Sequence, residues 1–202
     1  MIKAIVFDYG GVIETIEGGL MLKIANYLKI DLEDWLKVYS SLNYLCNTGK
    51  KSYEEVYALT AKKLDASDVQ ISHIHEMMRK NRATRGMNFE LLKIIKNLKS
   101  KNYKIGLLSN NYTQLRQELI DQNIIDLFDV VIISSEVGYQ KPQPEIFEYL
   151  FKGLNLKADE IVFVDDTKQS LTGAEKIGYT PILFMNNKKL KEELEKLGVL
   201  LI

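Results

Sequence analysis

Five short runs of Val, Ile, Leu and Phe recur along this chain of 202 residues, and the later runs alternate with segments of helical periodicity. Runs of this length and composition are typical of strands that are buried on both faces of a sheet. Strands that alternate with helices indicate βαβ units, in which neighbouring strands are parallel. We therefore predict an α/β fold with a parallel five-stranded sheet, its strands at residues 2–7, 103–108, 130–133, 161–164 and 181–184.

The region between the first and second runs lacks a strong strand pattern and contains several helical ones instead. Apolar residues recur there at helical spacing in four segments, residues 20–28, 32–39, 53–64 and 67–79. No repeat, low-complexity tract or Pro/Gly/Ser linker separates this region from its surroundings. We therefore predict an inserted α-helical bundle cap over residues 14–86, and a core formed by residues 1–13 and 87–202.

Composition excludes several classes of partner and site. Lys plus Arg and Asp plus Glu number 27 each, so the charge balance predicts no nucleic acid and no anionic membrane as partner. Cys46 is the only cysteine, which excludes an intramolecular disulfide and a Cys-rich zinc site. The apolar run at the N-terminus is too short for a signal peptide, and no later run reaches membrane-spanning length. We predict a cytoplasmic protein.

Polar residues follow four of the predicted strands. In open parallel sheets, ligands bind at the carboxyl ends of the strands, so these residues are candidates for one common site. A strand-end carboxylate pair also repels itself unless a cation or protons intervene, and a hard dication bound through oxygens relieves that repulsion. The candidates are Asp8 with Gly10 and Gly11, Ser109 with Asn110, Lys141 in KPQP, and the pair Asp165 and Asp166.

Each motif has a structural alternative when it is taken alone. Asp8 can begin a turn, because Asp and Gly dominate turns. A Ser-Asn pair can cap a helix, as can Asp165 and Asp166. Lys141 can be a solvated loop residue. The occurrence of all four clusters after strands of one sheet favours a shared site over four coincidences.

The motifs FDYGGVI, LLSNN, KPQPEIF and FVDDTKQSLTGAEKIGYTPIL, in this order, resemble the haloacid dehalogenase (HAD) superfamily across essentially the whole chain. The resemblance implies a Rossmann-like three-layer core with a helical type-1 cap. It implies that Asp8 attacks phosphorus and forms an aspartyl-phosphate, and that Ser109, Asn110 and Lys141 bind the phosphoryl group. It assigns Mg²⁺ as cofactor, with the ligands Asp8, the carbonyl of Gly10, Asp165 and Asp166.

One position departs from the family pattern. Phosphatases of this family usually carry a second Asp two residues after the nucleophile as general acid and base, whereas this chain has Gly10. Loss of such help slows turnover without abolishing it, especially when the leaving group needs no proton. As a hypothesis, Glu14 or Glu17 returns a carboxyl group to the site; the alternative is that both are solvated.

The function predicted from these residues is Mg²⁺-dependent hydrolysis of a small phosphorylated metabolite by a monomer or weak homodimer. A catalytically impaired phosphate- and metal-binding regulatory module is an alternative, and a 2-haloacid dehalogenase is a weaker one. Arg79, Arg82 and Arg85 cluster where the cap returns to the core. They either meet a second anionic group of the substrate or stabilise a helix C-terminus.

Overall fold

The computed structural model describes residues 1–15 and 18–200 of the chain. Its main sheet has five parallel strands in the order β5-β4-β1-β6-β7. This sheet confirms the predicted α/β fold, and every strand lies within three residues of its predicted bounds. The strands are β1 (Ala4–Phe7), β4 (Lys104–Ser109), β5 (Val130–Ile133), β6 (Ile161–Asp165) and β7 (Thr180–Leu183), and the two short strands β2 (Glu14–Thr15) and β3 (Gly86–Met87) pair separately.

Strand β1 lies at the centre of the sheet, between β4 and β6. All four of its residues are fully buried, since its alternate side chains pack into two different hydrophobic clusters. Ile5 and Phe7 pack on one face, and Ala4 and Val6 on the other. Burial on both faces explains why this strand is apolar throughout rather than alternating with polar residues.

Helices cover both faces of the sheet and give the core its three layers. Helices α6, α7 and α11 pack against the face that contains Phe7, and α9 and α10 pack against the opposite face. The helices after residue 86 are α6 (Phe89–Ser100), α7 (Leu115–Asp121), α8 (Ser134–Val137), α9 (Pro144–Leu154), α10 (Ala174–Ile177) and α11 (Asn187–Lys196).

Between β2 and β3 the described residues, which begin at 18, form a separate bundle of five helices with its own hydrophobic core around Trp35, which is fully buried. Two of these helices begin with capping boxes, in which Ser52 pairs with Glu55 and Ser67 with Gln70. The five helices are α1 (Leu20–Leu28), α2 (Leu32–Leu42), α3 (Tyr44–Asn47), α4 (Tyr53–Lys62) and α5 (Asp68–Ala83).

Strands β2 and β3 form a two-residue antiparallel ribbon, in which Glu14 is opposite Met87 and Thr15 is opposite Gly86. The sequence did not predict this ribbon, because a strand of two residues is too short to show the residue pattern by which strands are recognised. It brings the two ends of the helical bundle together. We propose residues 14–86 as a cap that enters and leaves the core through this ribbon.

The helical segment after β6 is interrupted. A 3₁₀ turn (Lys168–Leu171) and the short α10 (Ala174–Ile177) follow one another there without forming one continuous helix. Gly173 lies between them with a φ of 84°, in the left-handed region that ends a right-handed helix. None of the helices described here has the length and apolar character needed to span a membrane. The cytoplasmic location stays a prediction.

Candidate active site

A cavity of about 600 Å³ lies between the carboxyl end of the sheet and the helical bundle. Its volume is in the range typical of small-molecule sites. Asp8, Ser109 and Asp166, which lie at or just after strand ends, all line it, together with Gly10, Asn110 and Lys141, which lies in the loop after α8. The structure therefore brings the candidate residues from separate motifs to one place, as the topology of a parallel sheet requires. Asp165 lies beneath them and is completely buried.

Lys141 joins the two aspartates that end β1 and β6. Its ammonium Nζ lies 2.9 Å from Asp8 Oδ1 and 2.5 Å from Asp165 Oδ2. The Lys141 side chain is 1% exposed, so these ion pairs are removed from water. Burial alone would lower the pKa of Lys141, but the two carboxylates outweigh it and leave that pKa raised. Lys141 is therefore a permanent positive charge in the site.

Asp8 occupies a less favourable environment for a charge. Burial raises the pKa of Asp8, and the neighbouring Asp165 adds to this, whereas Lys141 and the side chain of Ser109 act in the opposite direction. Although Asp8 Oδ1 lies near Lys141, their geometry is not that of a hydrogen bond, and this buried oxygen has no hydrogen-bond partner among the described residues. It therefore keeps a lone pair that a further cation can use.

The donor atoms around Asp8 fit a hard divalent cation. Carboxylate oxygens of Asp8, Asp165 and Asp166 all lie within 4.8 Å of one another. Burial, and then the charge of Asp165, raise the pKa of Asp166. Gly10 lines the same cavity, and no hydrogen bond that the structure describes uses its carbonyl oxygen. Carboxylate and carbonyl oxygens are the kinds of ligand that Mg²⁺ prefers.

The two adjacent aspartates differ in how far their carboxylate oxygens are already engaged by the protein. Asp165 Oδ1 accepts a hydrogen bond of 2.8 Å from the amide of Thr167, and its Oδ2 is paired with Lys141. Asp166 instead faces the cavity, with one hydrogen bond of 3.2 Å from the Thr167 hydroxyl. We therefore expect Asp166 to be the more direct ligand of the two, and Asp165 to hold Lys141 in place.

Gly11 gives a test of this carboxylate cluster that leaves every charge in place. Its φ is +77°, and a Cβ added there would lie 2.3 Å from Asp166 Oδ2, so the Asp166 carboxylate must move. We expect Gly11→Ala to weaken Mg²⁺ binding at least tenfold, on the order of what displacing one ligand costs. Isothermal titration of Mg²⁺ into the folded variant measures this.

Gly198→Ala is the matched control, because Gly198 has a similar φ of +74° with open space around its Cβ position. Both variants carry the backbone cost of a left-handed alanine, about 1–2 kcal/mol. Only Gly11→Ala displaces Asp166. Equal Mg²⁺ affinity in the two variants would show that Asp166 is not a ligand.

Asn110 holds the backbone of Lys141. Its side-chain oxygen accepts from the Lys141 amide at 2.8 Å, and its side-chain nitrogen donates to the Lys141 carbonyl at 3.1 Å. Asn110 was expected to bind the substrate phosphate; that role stays a prediction, and its side chain is already committed to Lys141. Nearby, the amide of Asn111 donates to Ser134 Oγ at 3.0 Å. That amide is therefore engaged within the protein.

The hypothesis of a replacement acid concerns Glu14 and Glu17. Glu14 lines the cavity, but its carboxylate is paired with Arg85 at 3.1 Å. Burial raises the pKa of Glu14, and Arg85 opposes this. Glu17 lies outside the described residues. A catalytic role for either stays a prediction.

Comparison with known proteins supports a relationship over most of the chain. A family model described as haloacid dehalogenase-like hydrolase matches residues 2–178. Bifunctional epoxide hydrolase 2 of Mus musculus is 30% identical over 148 residues, which are 71% of this chain and 27% of that protein. Glyceraldehyde 3-phosphate phosphatase of Methanothermobacter thermautotrophicus is 37% identical over 97 residues, which are 47% of this chain and 42% of that protein.

These matches span less than half the length of either curated relative. A solved structure covers the fold more completely. A HAD family enzyme of Bacteroides thetaiotaomicron, in complex with magnesium and inorganic phosphate, superposes with a TM-score of 0.65 over 94% of this chain and 99% of that one. Its sequence identity is 19%, so this likeness concerns the fold alone.

Proposed function

Because the chain belongs to the haloacid dehalogenase-like hydrolases, we propose that it is a Mg²⁺-dependent phosphomonoester hydrolase in which Asp8 is the nucleophile. The observation that carries this proposal is the buried arrangement of Asp8, Lys141 and Asp165 at the floor of the cavity, with Asp166 beside it. A relative named as a phosphatase supports the choice of a small phosphorylated substrate.

In the proposed reaction the carboxylate of Asp8 attacks phosphorus, and the bond from phosphorus to the leaving oxygen breaks. Water then hydrolyses the aspartyl-phosphate, so that one difficult displacement becomes two easier ones. Lys141 stays charged throughout, because its two carboxylate partners raise its pKa, and it balances negative charge as the phosphoryl group transfers. Ser109 also lines the cavity, and we assign to its hydroxyl a hydrogen bond to a phosphoryl oxygen.

Asp8, Asp166 and the Gly10 carbonyl are the groups that would hold Mg²⁺. A dication there supplies positive charge that screens the approach of a phosphate dianion to a carboxylate. A Bacteroides thetaiotaomicron enzyme of the same fold has been solved with magnesium and inorganic phosphate, which supports magnesium as the choice of cation. The retained pair Asp165 and Asp166 also argues against the dehalogenase alternative, which needs no metal.

The leaving group decides how fast such a site turns over. Gly10 cannot donate a proton, and Lys141 is engaged by two carboxylates. Since a positioned general acid contributes about 10²–10⁴-fold, we expect aryl phosphates to be hydrolysed at least about 10²-fold faster than alkyl phosphates, as judged by kcat/KM. Steady-state kinetics with p-nitrophenyl phosphate and ethyl phosphate measures this ratio.

Gly10→Asp is the matched variant, because it restores the carboxyl group that phosphatases of this family usually carry two residues after the nucleophile. It should raise kcat/KM for the alkyl ester more than for the aryl ester. If the wild-type protein hydrolyses both esters equally well, it already contains a general acid. The lack of an acid at Gly10 would then not limit turnover.

The proposed function itself is tested by release of phosphate from p-nitrophenyl phosphate with Mg²⁺ and with a chelator. We expect release only with the metal. A folded protein that binds Mg²⁺ and phosphate yet releases none would favour the alternative, a regulatory module that has lost turnover.

A further inference from the structure

The cavity above Asp8 has a second charged wall, which the proposed reaction does not use. Three arginines from the end of α5 and the link that follows it line this cavity: Arg79, Arg82 and Arg85. The site at the sheet provides for one phosphoryl group, and the cavity volume of about 600 Å³ leaves room for the rest of a small substrate. These arginines therefore lie where the remainder of a substrate would extend.

Two of the three arginines already have acidic partners. Arg85 is paired with Glu14 at 3.1 Å, and Arg82 is paired with Glu118. The guanidinium carbon of Arg82 also lies 4.9 Å from the ring centroid of Tyr112. These contacts hold the two side chains in place and neutralise much of their charge. These contacts explain the positions of Arg82 and Arg85 without any bound ligand.

Arg79 differs from its neighbours. Within residues 1–15 and 18–200 no carboxylate lies within ion-pair distance of it. Glu76, one turn earlier on α5, is paired with Lys80 at 2.7 Å. Glu54 lines the same cavity, yet it forms no ion pair with Arg79. Arg79 therefore faces the cavity without a direct ion pair among the described residues, and its charge contributes only secondarily to lowering the pKa of Glu76.

Arg85 adds an unused donor. Its Nε is buried and has no hydrogen-bond partner among the described residues, although a buried donor without a partner is costly. An anionic oxygen bound between Arg79 and Arg85 would accept a hydrogen bond from Arg85 Nε. It would also neutralise the charge of Arg79. Arginine guanidinium groups bind carboxylate and phosphate oxygens in this way through charge-assisted hydrogen bonds.

We propose that Arg79, assisted by Arg85, forms a second anion subsite, so that the preferred substrate is a phosphomonoester with another anionic group at its far end. The proposal rests on the proposed phosphatase function for the end that holds the phosphate. It assigns specificity to the last turns of α5, which belong to the inserted bundle. A carboxylate is the simplest second group with this chemistry.

Two esters of similar size test the subsite, namely carboxymethyl phosphate and ethyl phosphate, which differ in a carboxylate. Binding is measured by calorimetry with Asp8→Asn in the presence of Mg²⁺, so that turnover does not interfere. We expect about tenfold tighter binding of carboxymethyl phosphate, in line with one charge-assisted contact to Arg79, which is exposed. Arg79→Gln in the same background should remove the preference, and Arg79→Lys should retain part of it.

Lys63→Gln is the control, because Lys63 directly follows α4 in the same bundle, is exposed, has no ion pair among the described residues and does not line the cavity. It should keep the preference. Wild-type KM values for the two esters give a second measurement that does not depend on the Asp8 variant. Equal affinities for the two esters, or a preference that survives Arg79→Gln, would overturn the subsite.

The two proposals fail separately. Absence of phosphate release from any ester would contradict the proposed phosphatase function. A binding preference that depends on Arg79 would still support the subsite. Phosphate release with no preference between the two esters would support the phosphatase function and overturn the subsite.

Discussion

Asp8→Asn should reduce Mg²⁺-dependent release of phosphate at least about 10⁴-fold, since loss of a nucleophile in another hydrolase class costs about 10⁶-fold. A neutral amide is a poor nucleophile, and it also removes one negative charge from the group of carboxylates that would hold the metal. The fold should survive, because Lys141 keeps its second ion pair with Asp165 at 2.5 Å. Phosphate release and thermal unfolding of the same preparation separate the two effects.

Asp31→Asn is the control for this substitution. Asp31 is exposed in the helical bundle, at the start of α2, and its side chain makes no capping hydrogen bond. The same chemical change there should leave turnover unaltered. If Asp8→Asn kept more than about a hundredth of the wild-type kcat, Asp8 would not be the nucleophile.

Lys141→Met should be the most damaging substitution for stability. It removes the only cation within ion-pair distance of Asp8 and Asp165 in the part of the chain that the structure describes. Breaking a buried ion pair by removing one partner costs about 3–5 kcal/mol, because the other charge stays buried and unpaired. The free energy of unfolding in urea measures this loss, and turnover should fall with it.

The loss of stability caused by Lys141→Met should be larger at high pH than at low pH. In the wild-type protein burial already raises the pKa of Asp8, and Lys141 opposes that rise. Without Lys141 the pKa in the folded state lies further above its unfolded value. The folded variant then binds more protons than the unfolded chain, so its stability falls as the pH rises. The deficit should therefore be smaller near pH 5 than near pH 8.

Lys152→Met is the control, because Lys152 is exposed on α9 and has no ion pair among the described residues. Its stability should match that of the wild type at both pH values. A deficit in Lys141→Met that is equal at both pH values would contradict the assignment, since it would point to lost packing rather than to unpaired carboxylates.

The sheet and the position of the site could be predicted because both follow from chain topology. Apolar runs without alternation indicate strands buried on both faces, as β1 and β6 are. Parallel strands end at one edge, so Asp8, Ser109 and Asp166 had to lie close together once the sheet was assigned. Lys141 was predicted from its position after β5, and it does reach both aspartates.

The partners of these side chains were not predictable, because they depend on contacts between distant segments. Asn110 binds the backbone of Lys141, which is 31 residues away in the sequence. Glu14 meets Arg85 only because the short ribbon joins the two ends of the bundle. An arginine pattern likewise cannot reveal that Arg82 and Arg85 are paired with carboxylates, whereas Arg79 forms no ion pair within the described residues.

The central claim is that a phosphoryl group passes through Asp8, and the most direct test is to trap it there. Wild-type protein mixed with p-nitrophenyl phosphate and Mg²⁺ is quenched in acid within one turnover, digested and analysed by mass spectrometry. We expect the mass of one phosphoryl group on the peptide that contains Asp8, and none in the Asp8→Asn protein. Phosphate release at the normal rate without that modified peptide, or with the phosphoryl group on another residue, would contradict the proposed mechanism.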